Sequence, residues 1–94
     1  MPILEKTIEA KFVRECKKRD WLCLKQNVIG RRGYPDRLVI RLDGLPVWIE
    51  LKRAGGVLSE NQKECGQELM RHNAYVFVCF DAMEAISIIE GIVI

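Results

Sequence analysis

Histidine is nearly absent from this chain. His72 is the only one, and the four cysteines (Cys16, Cys23, Cys65 and Cys79) include no Cys-x-x-Cys pair. A zinc site therefore lacks ligands at the right spacing, and cysteines set inside apolar segments read as free buried thiols. Long apolar runs are missing too. No stretch reaches the roughly 18 to 20 residues that cross a bilayer, and the chain runs straight into Glu5, Lys6 and Glu9 in place of a signal-peptide core. The expectation is an intracellular, cytoplasmic protein with no membrane partner, from a bacterial or phage source alike. Internal repeats and low-complexity segments are also lacking, which excludes solenoids and disordered linkers.

What is present suits one folded domain over residues 1–94, since a chain of this size cannot support two cores. A 49% hydrophobic share with 30% charged residues lies far from the composition of disordered chains. The net charge of +2 is unevenly spread. Between Lys11 and Arg41 stand Lys11, Arg14, Lys17, Lys18, Arg19, Lys25, Arg31, Arg32, Arg37 and Arg41, against only Glu15, Asp20 and Asp36. Such a stretch is either a solvated helix face or the footprint of a polyanion, whose condensed counterions are released when Lys and Arg neutralise its phosphates.

Leu4, Ile8, Phe12, Val13 and Cys16 recur at helical spacing and predict an amphipathic helix over Leu4–Arg19. At about 100° per residue, Glu5 and Glu9 fall within its apolar arc. Two carboxylates on an inward stripe need a cation or hydrogen-bond donors, because an unpaired buried charge is costly. Trp21–Val28 reads as a first strand running into the Gly30-Arg31-Arg32-Gly33 loop. Leu38–Leu42 and Val47–Leu51 read as antiparallel strands joined by Asp43-Gly44. Ser59-Glu60-Asn61-Gln62 has the form of a capping box opening a helix to about His72, which Asn73 can end in the left-handed conformation. Ala74–Phe80 is β-prone throughout, and Asp81-Ala82-Met83-Glu84 starts a short last helix.

Within Val47–Lys52 the side chains alternate, so Trp48, Glu50 and Lys52 share a face opposite Val47, Ile49 and Leu51. Asp36 lies fourteen residues before Glu50, a separation that the hairpin folds back on itself. Two converging carboxylates repel, and one takes up a proton unless a cation stands between them. Carboxylates with retained waters suit Mg²⁺ (or Mn²⁺), whereas zinc prefers His and Cys. An adjacent lysine can orient a water or meet charge that builds on a phosphoryl oxygen.

The series Gly33-Tyr34-Pro35-Asp36-Arg37-Leu38-Val39, then Ile49-Glu50-Leu51-Lys52, then Gln62 beyond a glycine-containing loop resembles the PD-(D/E)xK nuclease pattern in its VRR-NUC (virus-type replication-repair nuclease) form. The likeness spans nearly the whole chain, from Leu4-Glu5-Lys6-Thr7-Ile8-Glu9 to Tyr75-Val76-Phe77-Val78. It implies an α/β restriction-endonuclease-like core, with a mixed sheet of about four strands flanked by helices in the order α-β-β-β-α-β-α. It also implies that Asp36, Glu50 and Leu51 hold the metal together with an acid from the first helix, and that Lys52 serves catalysis. The helix acid corresponds to Glu9, which stands twelve residues before Trp21, a spacing similar to that in archaeal junction resolvases. Glu5 is its rival, with an alternative role opposite the helix dipole. Gln62 reads either as a residue touching the scissile phosphate or as a purely structural part of the capping box. The chain departs from many relatives in having Asp20-Trp21 where they carry glycines.

Stand-alone members of this family resemble Holliday-junction resolvases that act as homodimers on branched DNA. The resemblance thus implies a metal-dependent endonuclease, with DNA and a second copy as partners. Lys25, Arg31, Arg32 and Arg37 are the expected backbone contacts, extended by Lys17, Lys18 and Arg19. The tail Ile86–Ile94 suits either a dimer patch or core packing. Two other readings stand beside this one: a nuclease of the same chemistry acting on flaps, ends or single strands, and a DNA-binding nuclease subunit without turnover.

Overall fold

The computed structural model describes residues 3–94. Its elements are α1 (Glu5–Lys18), β1 (Leu22–Lys25), β2 (Arg37–Ile40), β3 (Pro46–Leu51), α2 (Glu60–Arg71), β4 (Tyr75–Cys79) and α3 (Ala82–Gly91), in the order the sequence predicts. One four-stranded sheet runs β1-β2-β3-β4. The first three strands pair antiparallel, while β3 and β4 are parallel because the connection between them crosses over through α2.

Local chemistry ends each helix. At the end of α1 the Trp21 N–H donates to the Cys16 carbonyl and the Asp20 N–H to the Lys17 carbonyl, both at 3.0 Å. This is a Schellman closure, with Asp20 in the left-handed region at φ 59°. Here lies the structural meaning of the missing glycine: an aspartate occupies a backbone position that glycine fills without steric cost. Asn73 repeats the arrangement after α2 at φ 61°, with the Ala74 N–H bonded to the Leu69 carbonyl. The capping box is formed, Ser59 Oγ accepting from the Gln62 N–H at 3.1 Å and Gln62 Oε1 from the Ser59 N–H at 2.8 Å. Asp81 caps α3 through the Met83 N–H.

The β2–β3 turn is a four-residue reversal in which Gly44 donates to the Arg41 carbonyl and Arg41 to the Leu45 carbonyl. Gly44 has φ 86° and Asp43 is not left-handed, the pattern of a type I turn closed by a glycine bulge. The first strand is shorter than the expected Trp21–Val28. One further bond, from the Gln26 N–H to the Asp36 carbonyl, precedes the loop that Gly30 and Gly33 turn away with positive φ.

The core lies on one face of the sheet. Val39, Val47, Ile49, Leu51 and Cys79 pack against Ile8, Phe12 and Cys16 of α1 and against Ala82, Ala85, Ile86 and Ile89 of α3. Ile86 and Ile89 are fully buried, and Ile92 packs on the same cluster. Most of the tail is therefore core, with Val93 and Ile94 left as exposed large apolar side chains at its end. All four cysteines are free, three of them buried and Cys23 half-buried. On the opposite face α2 covers the β4 side, leaving Leu22 and Leu24 exposed on β1.

Candidate active site

Antiparallel pairing of β2 and β3 sets Arg37 against Ile49. One step further in the same register brings Asp36 opposite Glu50, and cross-strand partners project from the same face of a sheet. Pro35 is buried and Asp36 is exposed, so the acid leaves the core at the point where its strand begins. Glu50 lies on the α2 face with Val76 and Val78, in the wall of a small apolar pocket of about 190 Å³.

Glu50 is the only buried charged residue among those described, with 3% of its surface exposed. Its Oε1 atom is buried and accepts no hydrogen bond. Burial, then the nearby Asp36 charge, pushes its pKa up to about 7, with a smaller contribution from Glu5; the Lys52 ammonium and the Asp36 main chain oppose the rise. This carboxylate is therefore desolvated, crowded by negative charge and one partner short, the situation a divalent cation relieves.

Among the described residues no three His, Cys, Asp or Glu side chains stand close enough together to hold a metal ion. Of the expected ligands, Glu50 and Asp36 offer carboxylates, and Leu51, whose side chain is in the core, offers only its main-chain carbonyl oxygen. Two carboxylates, a carbonyl and retained waters fit Mg²⁺ or Mn²⁺, which keep part of their hydration shell, and do not fit zinc. Lys52 follows β3, half-buried, its N–H held by the Cys79 carbonyl at 2.9 Å.

The two helix acids part company. Glu9 lies 3.5 Å from the Arg37 guanidinium, and its charge does not figure among those acting on Glu50. Glu5 does act on Glu50. One helical turn, about 6 Å along the axis, separates the pair. Glu9, the expected helix acid, is thus paired with Arg37, while the charge of its rival Glu5 is the one that bears on Glu50.

Gln62 lines the same pocket as Glu50, yet its Oε1 is committed to the cap, leaving the amide nitrogen as the end able to meet a phosphate. Of the expected DNA contacts, Arg31 is tied to Glu68 at 2.7 Å and to the Tyr34 hydroxyl at 3.1 Å, and half-buried Arg37 is tied to Glu9. Lys18 and Arg19 are engaged by Glu15. Lys25, Arg32 and Lys17 make no salt bridge among the described residues, so they are the cations of the expected set free to meet phosphate. Arg31 and Arg32 line a cleft of about 690 Å³ that ends at Asp36.

Sequence reading missed the residues that hold the Asp36 loop. Gly33 has φ 109°, and a Cβ there would stand 2.4 Å from the Asn61 carbonyl oxygen, so the loop backbone lies directly on the first turn of α2. Cys65 Sγ donates to the Arg32 carbonyl at 3.4 Å, and the Tyr34 hydroxyl donates to Glu68. The Tyr34 ring packs 6.2 Å from that of Trp48. Glycine in Gly33-Tyr34-Pro35-Asp36 was a visible signal; nothing local pairs Arg31 with Glu68, 37 residues away.

The sequence matches the VRR-NUC domain family over residues 3–81. A solved structure described as a VRR_NUC domain superimposes with a TM-score of 0.84, covering 95% of this chain and 97% of that one at 23% sequence identity. A search of curated proteins gives no match. With the family match spanning most of the sequence and the same fold found in a solved member, the chain belongs to the VRR-NUC family and has its nuclease-type fold.

Proposed function

We propose that this domain is a Mg²⁺- or Mn²⁺-dependent endonuclease that hydrolyses phosphodiester bonds in branched DNA, with the four-way junction as its preferred substrate. The observation that carries the reading is the unpartnered, buried Oε1 of Glu50 facing Asp36 across the strand pair, with Lys52 two residues along the same strand face. A bound divalent cation supplies Lewis acidity, lowering the pKa of a water and screening charge on the phosphoryl oxygens. Glu50 and Asp36 hold it, Glu5 adds negative charge on the helix side, and the Lys52 ammonium meets the charge that grows on the phosphate. A positioned donor of this kind is worth about 3 to 4 kcal/mol of barrier. Lys25, Arg32 and Lys17 anchor the phosphate backbone, reading its shape and not its sequence.

A four-way junction has two strands to cut, and a two-fold pair of subunits presents one site to each. The surface we assign to a second copy is the open sheet face at β1, where Leu22 is 59% and Leu24 43% exposed. Sedimentation of wild type and of Leu22→Glu/Leu24→Glu tests the dimer.

Labelled four-way, flap, duplex and single-stranded DNA, incubated with Mg²⁺, Mn²⁺ or EDTA, test the activity. Metal-dependent cutting of the junction is expected, lost in Asp36→Ala, Glu50→Ala and Lys52→Ala while DNA binding persists. Cutting that survives EDTA, or that survives in Glu50→Ala, defeats the assignment. Preference for flaps or free ends moves the substrate to those structures, and binding without any cutting leaves a non-catalytic subunit.

A further inference from the structure

Phe80 stands where the two parallel strands end together. β3 and β4 stay in register through Leu51 and Cys79, and the Lys52 N–H bonds to the Cys79 carbonyl. The residues that follow, Lys52 and Phe80, therefore emerge side by side at the same end of the sheet. The main chain of Phe80 is anchored, its N–H donating to Glu84 Oε1 at 3.2 Å, yet the ring is 44% exposed. Phe80 borders two depressions. One, of about 360 Å³, it shares with Lys52 and Val57. The other, of about 540 Å³, it shares with Thr7, Lys11 and Arg14 of α1.

Lys11 and Arg14 lie three residues apart on one face of α1, and neither makes a salt bridge among the described residues. The acid in this cleft, Asp81, is engaged with the Met83 N–H as the cap of α3. Two free cations beside an exposed aromatic ring, continuous with Lys52, complement a charged backbone carrying flat bases.

We infer that this cleft takes an unpaired stretch of DNA adjoining the cut, with a base stacked on Phe80 and neighbouring phosphates held by Lys11 and Arg14. The faces of a base inside a duplex are covered by its neighbours, so only an unstacked base can use the ring. Stacking on an aromatic side chain tolerates any base, and the cations follow the backbone. The cleft therefore favours DNA that is open at a branch point, whatever its sequence. This inference rests on the nuclease reading only for where the scissile phosphate lies.

The test is binding in EDTA to forked DNA carrying 2-aminopurine at the unpaired position next to the fork, with a continuous duplex of the same sequence as the comparison. Wild type should quench the fluorophore and bind the fork more tightly than the duplex. Phe80→Leu should abolish the quench and weaken fork binding about tenfold, leaving duplex binding unchanged. Lys11→Gln and Arg14→Gln should each lower the slope of log affinity against log salt by about 0.7, as for a lost single-strand phosphate contact. Phe80→Trp keeps a stacking surface and should retain the quench, which separates stacking from folding. Fork binding and quench unchanged in Phe80→Leu, or lost in a folded Phe80→Trp, overturn the inference. Cleavage with Mg²⁺ added is scored separately: Phe80-dependent binding without cutting removes the nuclease reading and keeps the cleft, whereas cutting with Phe80-independent binding does the reverse.

Discussion

The guanidinium of Arg37 lies 3.5 Å from the carboxylate of Glu9, on the strand next to the one that carries Glu50. One of the two inward acids of α1 is thereby paired within the protein, and we propose that the other, Glu5, serves the site. Glu5→Gln is expected to cut the cleavage rate about a hundredfold with little change in stability, by the loss of one charged group from the site. Glu9→Gln should keep the rate within a few-fold and cost stability, since Arg37 Nε is already buried without a partner. Cleavage kinetics and urea denaturation of both variants check the assignment, and the opposite pattern restores Glu9 to the site.

The Glu50 pKa predicts how metal-free stability depends on pH. The folded protein keeps the Glu50 proton up to about pH 7, whereas an ordinary glutamate loses it near 4.5. Between those values the folded state binds more protons than the unfolded chain, so stability falls as pH rises through the window and levels off above it. The shift corresponds to about 3 kcal/mol. In EDTA, Glu50→Gln should therefore be more stable than wild type at pH 8 and no more stable at pH 4.5. Adding Mg²⁺ at pH 8 should stabilise wild type and leave the variant unmoved. Equal denaturation curves at pH 8 contradict the buried, charge-crowded carboxylate.

Gly33 predicts a different kind of loss. A methyl group there meets the Asn61 backbone at 2.4 Å and must accept φ 109°. Gly33→Ala should cost about 3 kcal/mol, by overpacking and a conformation that L residues rarely adopt. Because the same loop delivers Asp36, the cleavage rate should fall even at temperatures where the variant is folded. Calorimetry beside single-turnover cleavage tests both halves.

Asp20 offers the reverse. Its left-handed conformation closes α1 at a position where glycine carries no Cβ penalty. Asp20→Gly should raise stability by about 1 kcal/mol and leave cleavage untouched, as thermal melts and rate measurements can show. No gain in stability would mean that the aspartate side chain contributes something the backbone account omits.

Local chemistry decided most of what the sequence could announce by itself. The capping box at Ser59, the left-handed Asn73, the alternation that puts Glu50 and Lys52 on one face, and the order of the seven elements depend on residues a few positions apart, and spacing encodes them. The pairing of Asp36 with Glu50 was within reach because a hairpin joins their strands. Tertiary structure alone decided that Glu9 pairs with Arg37, which arginines are salt-bridged within the protein, that most of the C-terminal tail is core, and that Lys52 emerges beside Phe80. Periodicity says which face a side chain occupies and not what it meets there. Glu9 with Arg37, Arg31 with Glu68, and β3 with β4 are chosen by how helices lie on a sheet across long stretches of chain.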